Sequence, residues 1–268
     1  MGDSTSTIRF ATFLSPVLYD TYAYIARYVG QQLGCSTSLS VGESFEEFAE
    51  EQVDAGFICG LPYVRMVNWP SCPIELLAAP VLLGKRYQQR PIYYSDVIVR
   101  SDSPYSCFDD LQGCVWAYNE CASQSGYNVV CYGLLERGKS PGYFGKMVKS
   151  GAHMRSLAMV LEGEVDATAI DSHILDLLRR RDETLAPRLR VVDVVGPSSI
   201  QPVVVSKRVE KEIRRRIEEG LITMHDDSRA ATKLNEGMIE RFAVVTDEDY
   251  GDIRRMLAQV EEAGFPFE

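Results

Sequence analysis

An α/β fold in two bodies is predicted by three features of the sequence. Short apolar runs of strand length alternate with amphipathic stretches of helical period from Ile8 to Val205. One run, IYYSDVIVR at 92–100, is long enough to pass from one body into another. The halves also echo each other. Val53-Asp54-Ala55 and Val165-Asp166-Ala167 stand 112 residues apart, each between a helix end and an apolar strand. IRFATFLSP and VWAYNECASQS match at a similar offset.

The elements follow in order. Ile8–Phe13 reads as a strand and Val17–Leu33 as a helix stopped by Gly34. Ser36–Val41 is a strand, Ser44–Glu51 a helix, and Phe57–Cys59 a buried strand. Pro62–Val67 is a short helix with proline in its first turn, and Ile74–Ala79 a strand. After the crossing strand comes Val115–Tyr118, then a polar loop, then a helix over Tyr127–Glu136 that ends near Gly138. His153–Glu162 and Ser172–Arg181 read as helices around a strand at Ala167–Ile170. Leu189–Val195 is a strand, GPSSIQP at 196–202 is turn-rich, and Val203–Val205 is a strand leading back to the first body. Ser206 is placed to cap a helix bearing Val209, Ile213 and Ile217. A last helix spans Asp247–Ala263, with Tyr250, Ile253, Leu257 and Val260 on one face and Gly264 as its stop.

Composition narrows the function. Of 268 residues, 46% are apolar and 25% charged, the balance of a soluble globular protein. The formal net charge of −10 opposes nucleic acid and anionic membranes, which need a basic face. A small anion is not excluded, because a buried site feels its nearest donors more than distant carboxylates, which salt screens within roughly 10 Å. No stretch reaches the ~18 apolar residues of a membrane span, so no direct membrane insertion is expected. The opening MGDSTSTIRF has no basic and apolar leader, which leaves two readings: an export signal removed, or a cytosolic protein. The 7 cysteines form no CxxC pair. Cys107, Cys114 and Cys121 recur every seventh residue, but a glycine and a strand separate them, so they share no helical face. They read as buried thiols, and no metal or organic cofactor is indicated.

Ligands of open α/β sheets bind beyond the carboxyl ends of the strands. Three stretches there carry polar groups suited to a small anion. In NECASQSGYN, 119–128, a helix opening near Ser125 directs unpaired amides outward, and Ser123, Ser125 and Gly126 add donors and a close backbone approach. A serine that merely caps the helix accounts for the same pattern. In SGAHMRS, 150–156, His153 can donate an imidazole N–H, or serve as a cap. In AIDSHI, 169–174, Asp171 is either an N-cap or an acceptor for a proton, hydroxyl or ammonium on the ligand.

In order and spacing, these motifs resemble the phosphonate/phosphite/phosphate-binding components of ABC importers. The resemblance runs from about Phe10 to Val205 and rests on VDAGF, YYSDVIVR followed by DDLQG, SQSGY, SGAHMRS and EGEVDATAIDS. It implies a two-lobed type II periplasmic-binding-protein fold. Each lobe would be a mixed, mostly parallel sheet flanked by helices, with the ligand cleft between lobes. Residues 1–95 with 201–268 would form lobe 1, and 96–200 would form lobe 2 with the oxyanion loop. It implies that Ser123, Gln124 and Ser125 grip the oxyanion with His153, that Asp171 tests for a donor on the ligand, and that Tyr93 lines the site. Tyr63 is the loosest assignment, as a first-lobe wall. It also implies capture of a phosphonate, phosphite or phosphate for uptake, outside the cytoplasm, in partnership with ABC transporter membrane subunits.

The sequence departs from the family pattern at Gln124, where a small hydroxyl residue is usual. Two other readings stay open: a cytosolic ligand sensor, and a cytosolic enzyme on the same fold, of the menaquinone-precursor type. Ser125, His153 and Asp171 are the residue types of a hydrolytic triad, but A-S-Q-S-G at 122–126 lacks the first glycine of the G-x-S-x-G nucleophile elbow.

Overall fold

The structure, a computed structural model, describes residues 7–266. The residues read for a leader therefore lie partly outside the described residues, at 1–6. Its elements are β1 (Ile8–Thr12), α1 (Tyr19–Leu33), β2 (Thr37–Val41), β3 (Ala55–Phe57), α2 (Gly60–Met66), β4 (Ile74–Leu82) and β5 (Ile92–Arg100). There follow β6 (Val115–Tyr118), α3 (Val129–Glu136), β7 (Lys146–Lys149), α4 (His153–Glu162), β8 (Ala167–Asp171), α5 (Ser172–Arg181) and β9 (Leu189–Ser199). The chain closes with β10 (Val203–Ser206), α6 (Lys211–Ile222), α7 (Ser228–Glu236), β11 (Ile239–Ala243) and α8 (Gly251–Glu262).

These elements form two compact units. The first comprises the described residues up to Ile92 together with Ile200–Tyr250. The second runs from Tyr93 to Ser199 and includes the chain from Gly251 onward.

The first unit is built on a six-stranded sheet of order β11-β4-β10-β3-β1-β2. β1 pairs in parallel with β2 and β3, while β10 runs antiparallel to β3 and β4, and β11 antiparallel to β4. Val203, Val204 and Val205 are all wholly buried, as a central strand covered on both faces requires. β2 is one of its two edge strands, and its TSLSV sequence leaves Val41 61% exposed. Asp54, ahead of β3, accepts from Arg9 Nε at 3.0 Å and also pairs with Arg208, tying three segments together. Both guanidinium partners hold its carboxyl below the usual carboxylate range, against the opposing effect of burial.

The second unit holds a five-stranded sheet of order β7-β6-β8-β5-β9. β6 is parallel to β7 and β8, whereas β5 runs antiparallel to β8 with Ser95 opposite Asp171. Trp116, Tyr127, Val130, Leu134 and Phe144 lie in its core, with Trp116 stacked on Phe144 at 4.3 Å.

Several expectations are corrected. Ser44–Glu51 holds only a 3₁₀ turn, Phe45–Phe48, capped reciprocally by Ser44 and Glu47. Ser206 ends β10 instead of capping a helix, and α6 starts after Glu210. The turn-rich 196–199 continues β9. The last helix is a 3₁₀ turn, Asp247–Tyr250, followed by α8, and the unit boundary falls between them. Residues from 251 thus belong with the second unit, not the first. Met256, Val260 and Phe265 enter its core, and Asp252 accepts from Ser199 N at 2.7 Å.

Candidate functional site

The polar loop after β6 folds into a π-helical turn, Gln124–Asn128, that opens α3. Asn128 N donates to Ser123 O at 3.0 Å, and Val129 N to Gln124 O, so both bonds span five residues. Such a turn leaves its first amides without acceptors inside it. Ser123, in extended conformation, caps the turn: its Oγ accepts from Gly126 N at 3.0 Å.

Gln124 anchors the turn from below. Its side chain is wholly buried, its Nε2 donates to Ser198 Oγ at 3.0 Å, and its Oε1 accepts from Asn128 Nδ2 at 2.7 Å. Both ends of its amide are thus engaged inside the unit. Ser95, also buried, donates to the Ser125 carbonyl.

The SGAH segment is pinned beside this turn. Ser150 N donates to Tyr118 O at 2.8 Å and Gly151 N to Asn119 O at 2.9 Å, so the end of β6 holds both. Gly151 sits at φ +87, where a side chain would be strained. α4 then starts at His153, and His153 Nε2 lies 3.0 Å from Ser125 Oγ. The other ring nitrogen, Nδ1, is closed off from solvent and has no hydrogen-bond partner. Burial pushes the imidazole down to about 4, so the ring is neutral at pH 7.

Asp171 ends β8 and is 4% exposed. Its Oδ1 caps α5 by accepting from His173 N at 2.8 Å. Tyr93 is buried near the start of the neighbouring β5, where Tyr94 N donates to Ser172 Oγ at 3.0 Å. Ser123, Ser125 and His153 are thus gathered at one turn, with Asp171 and Tyr93 on adjacent strands of the same unit. Tyr63 belongs to the first unit. It is buried on α2, donates to Asp247 Oδ1 at 2.6 Å and packs on Tyr250 at 4.8 Å. Arg155 turns to its own helix end, 2.7 Å from Glu164. No cationic side chain is therefore supplied from that position.

Two residues that sequence reasoning passed over complete the arrangement. Ser95 is a lone hydroxyl in an apolar strand, and Asn119 is the first residue beyond β6, the position where ligand loops begin. Among the described residues no group of His, Cys, Asp and Glu is arranged to hold a metal ion, and no helix is long and apolar enough to cross a membrane.

A family model described as ABC transporter, phosphonate, periplasmic substrate-binding protein matches residues 10–250. Solved structures share the fold at low identity. A binding protein component of an ABC phosphonate transporter from Pseudomonas aeruginosa is 16% identical, with TM-score 0.84 over 97% of this chain and 88% of that one. PhnD1 from Prochlorococcus marinus, in complex with methylphosphonate, is 14% identical, with TM-score 0.83 over 97% and 100%. XAC2383 from Xanthomonas citri, bound to ATP, is 16% identical, with TM-score 0.71 over 96% and 98%.

Proposed function

The chain belongs to the family of periplasmic substrate-binding proteins of ABC phosphonate transporters, and on that premise we propose that the turn at Ser123–Gly126, with His153, holds the phosphorus oxyanion of a phosphonate, phosphite or phosphate. One observation carries this reading. A neutral imidazole nitrogen stands 3.0 Å from Ser125 Oγ at the opening of a π-helical turn whose Gly126 amide is capped by the Ser123 hydroxyl. Hydroxyl and main-chain donors around such a point suit a compact anion without a basic side chain.

Asp171 and Tyr93, on adjoining strands, select among substituents on phosphorus. The carboxylate favours a ligand bearing a proton, hydroxyl or ammonium. Tyr63 is assigned to ligand only through the family resemblance; its hydroxyl is already committed to Asp247. The captured oxyanion is passed to the transporter's membrane subunits, which places the protein outside the cytoplasm.

The Ser125–His153 contact also resembles half of a hydrolytic triad. A triad needs a third group to orient the imidazole at its other nitrogen. No acidic group is bonded to His153 Nδ1, and Asp171 caps α5 instead. This supports capture without turnover.

Calorimetric titration with methylphosphonate, phosphite and phosphate tests the proposal. Ser125→Ala is expected to weaken the tightest of them by about tenfold or more, since a hydrogen bond to a charged group contributes about 1.5–3 kcal/mol. Unchanged affinity would remove the turn from the site.

A further inference from the structure

Asn119 and His153 carry two buried polar atoms that the fold leaves unanswered. Asn119 is 8% exposed, and its Oδ1 has no hydrogen-bond partner. His153 Nδ1 has none either. Both residues close around one point. A Cβ built on Gly126 would lie 1.8 Å from Asn119 Oδ1 and 3.3 Å from His153 Cε1, the carbon between the two ring nitrogens. An amide oxygen is an acceptor in want of a donor, and a protonated imidazole has a second N–H in want of an acceptor. An unanswered buried polar group is costly, so a pair of complementary ones around one point marks a state of the site other than the free one.

We propose that Asn119 is a positioning residue for proton-coupled capture: as a doubly charged oxyanion binds, His153 takes up one proton at Nδ1 from the buffered solvent, whose conjugate base carries the balancing charge, and the Asn119 amide oxygen receives the new Nδ1–H. The inference rests on the oxyanion reading above and deepens it. In the neutral ring Nε2–H donates to Ser125 Oγ across their 3.0 Å contact and Nδ1 is bare. In the charged ring that bond is kept, the added proton sits on Nδ1 facing the Asn119 oxygen, and the Ser125 hydroxyl proton stays directed to the ligand. The charge gained by the ring offsets one of the two charges brought in. Asn119 thus acts through His153.

No charge already present does this work. β6 and β8 pack on α4. They and their flanks bring Cys114, Tyr118, Glu120, Cys121, Asp166 and Asp171. The π turn brings Tyr127, β7 brings Lys149, and α4 itself brings Arg155 and Glu162. Burial is the one cause that lowers the ring's basicity, and none of these groups shifts it. The sign follows: proton uptake on binding makes affinity for a dianion rise as pH falls from the bound-state value toward the free-state one.

Nitrogen NMR of the imidazoles reads the protonation directly, since the chain has 3 histidines and His153→Gln identifies the resonance. With methylphosphonate as probe at neutral pH, both His153 nitrogens are expected to move to charged-ring positions on saturation. Calorimetry in buffers of different ionisation heat should then register proton uptake. Asn119→Ala is expected to abolish the uptake and weaken binding about tenfold. Asn119→Asp, which sets a carboxylate against the ring, should charge His153 in the ligand-free protein. A purely structural Asn119 would lower stability in both variants and leave the free ring neutral. A neutral ring in a saturated complex that Ser125→Ala still weakens would overturn this inference alone. The absence of any oxyanion binding would overturn the functional reading with it.

Discussion

Gly126 illustrates how closely the binding turn is packed at the level of single residues. Its backbone lies against the Asn119 carboxamide, so a methyl group there would stand 1.8 Å from Oδ1 and 2.7 Å from Cγ. Such atoms cannot coexist, and one segment has to move. Gly126→Ala is therefore expected to destabilise the protein by about 1–3 kcal/mol, as overpacking does, and to weaken oxyanion binding together with it. Chemical denaturation and calorimetry on the same sample test both arms. Unchanged stability would mean that the Asn119 side chain swings aside freely.

At the scale of elements, the π turn depends on Gln124 more than on either serine. Its amide links the turn to β9 through Ser198 and to α8 through Met256 Sδ at 3.3 Å. Gln124→Ala leaves the Asn128 and Ser198 side chains short of a partner and opens a hole. The expected loss is about 2–4 kcal/mol, read as a lower denaturation midpoint. A loss below about 0.5 kcal/mol, the range of surface substitutions, would show that the turn stands without it.

Gln124 also marks a limit of what the sequence makes legible. Strands and helices with strong period, such as β5, α4 and α5, are read to the residue. The edge strands β7 and β11 are not. KMVK and IERFA are short, lack a period-two alternation, and carry the charges that protect sheet edges, so nothing separates them from loop. The site's donors follow from strand-end position and motif spacing. The direction in which Gln124 points does not, because a five-residue bond span turns each side chain away from its α-helical bearing. Nor does the role of Asn119, which depends on contact with residues near 126 and 153.

For the molecule as a whole, charge matters more than fold. With a net charge of −10, an incoming anion meets a repulsive field until it reaches local donors. Association is expected to speed up as salt rises from about 0.01 to 0.15 M, over which the screening length falls from roughly 30 to 8 Å. Stopped-flow rates with methylphosphonate read this directly. A rate that falls with salt would reveal a basic funnel at the entrance.

Neither unit is continuous in the chain, and this bears on biosynthesis. A nascent polypeptide released only as far as residue 199 lacks β10, the strand that joins β3 to β4 in the first sheet. It equally lacks α8, whose Met256 and Val260 fill the second core. Each unit therefore has its full core only once the segments beyond residue 199 have been made.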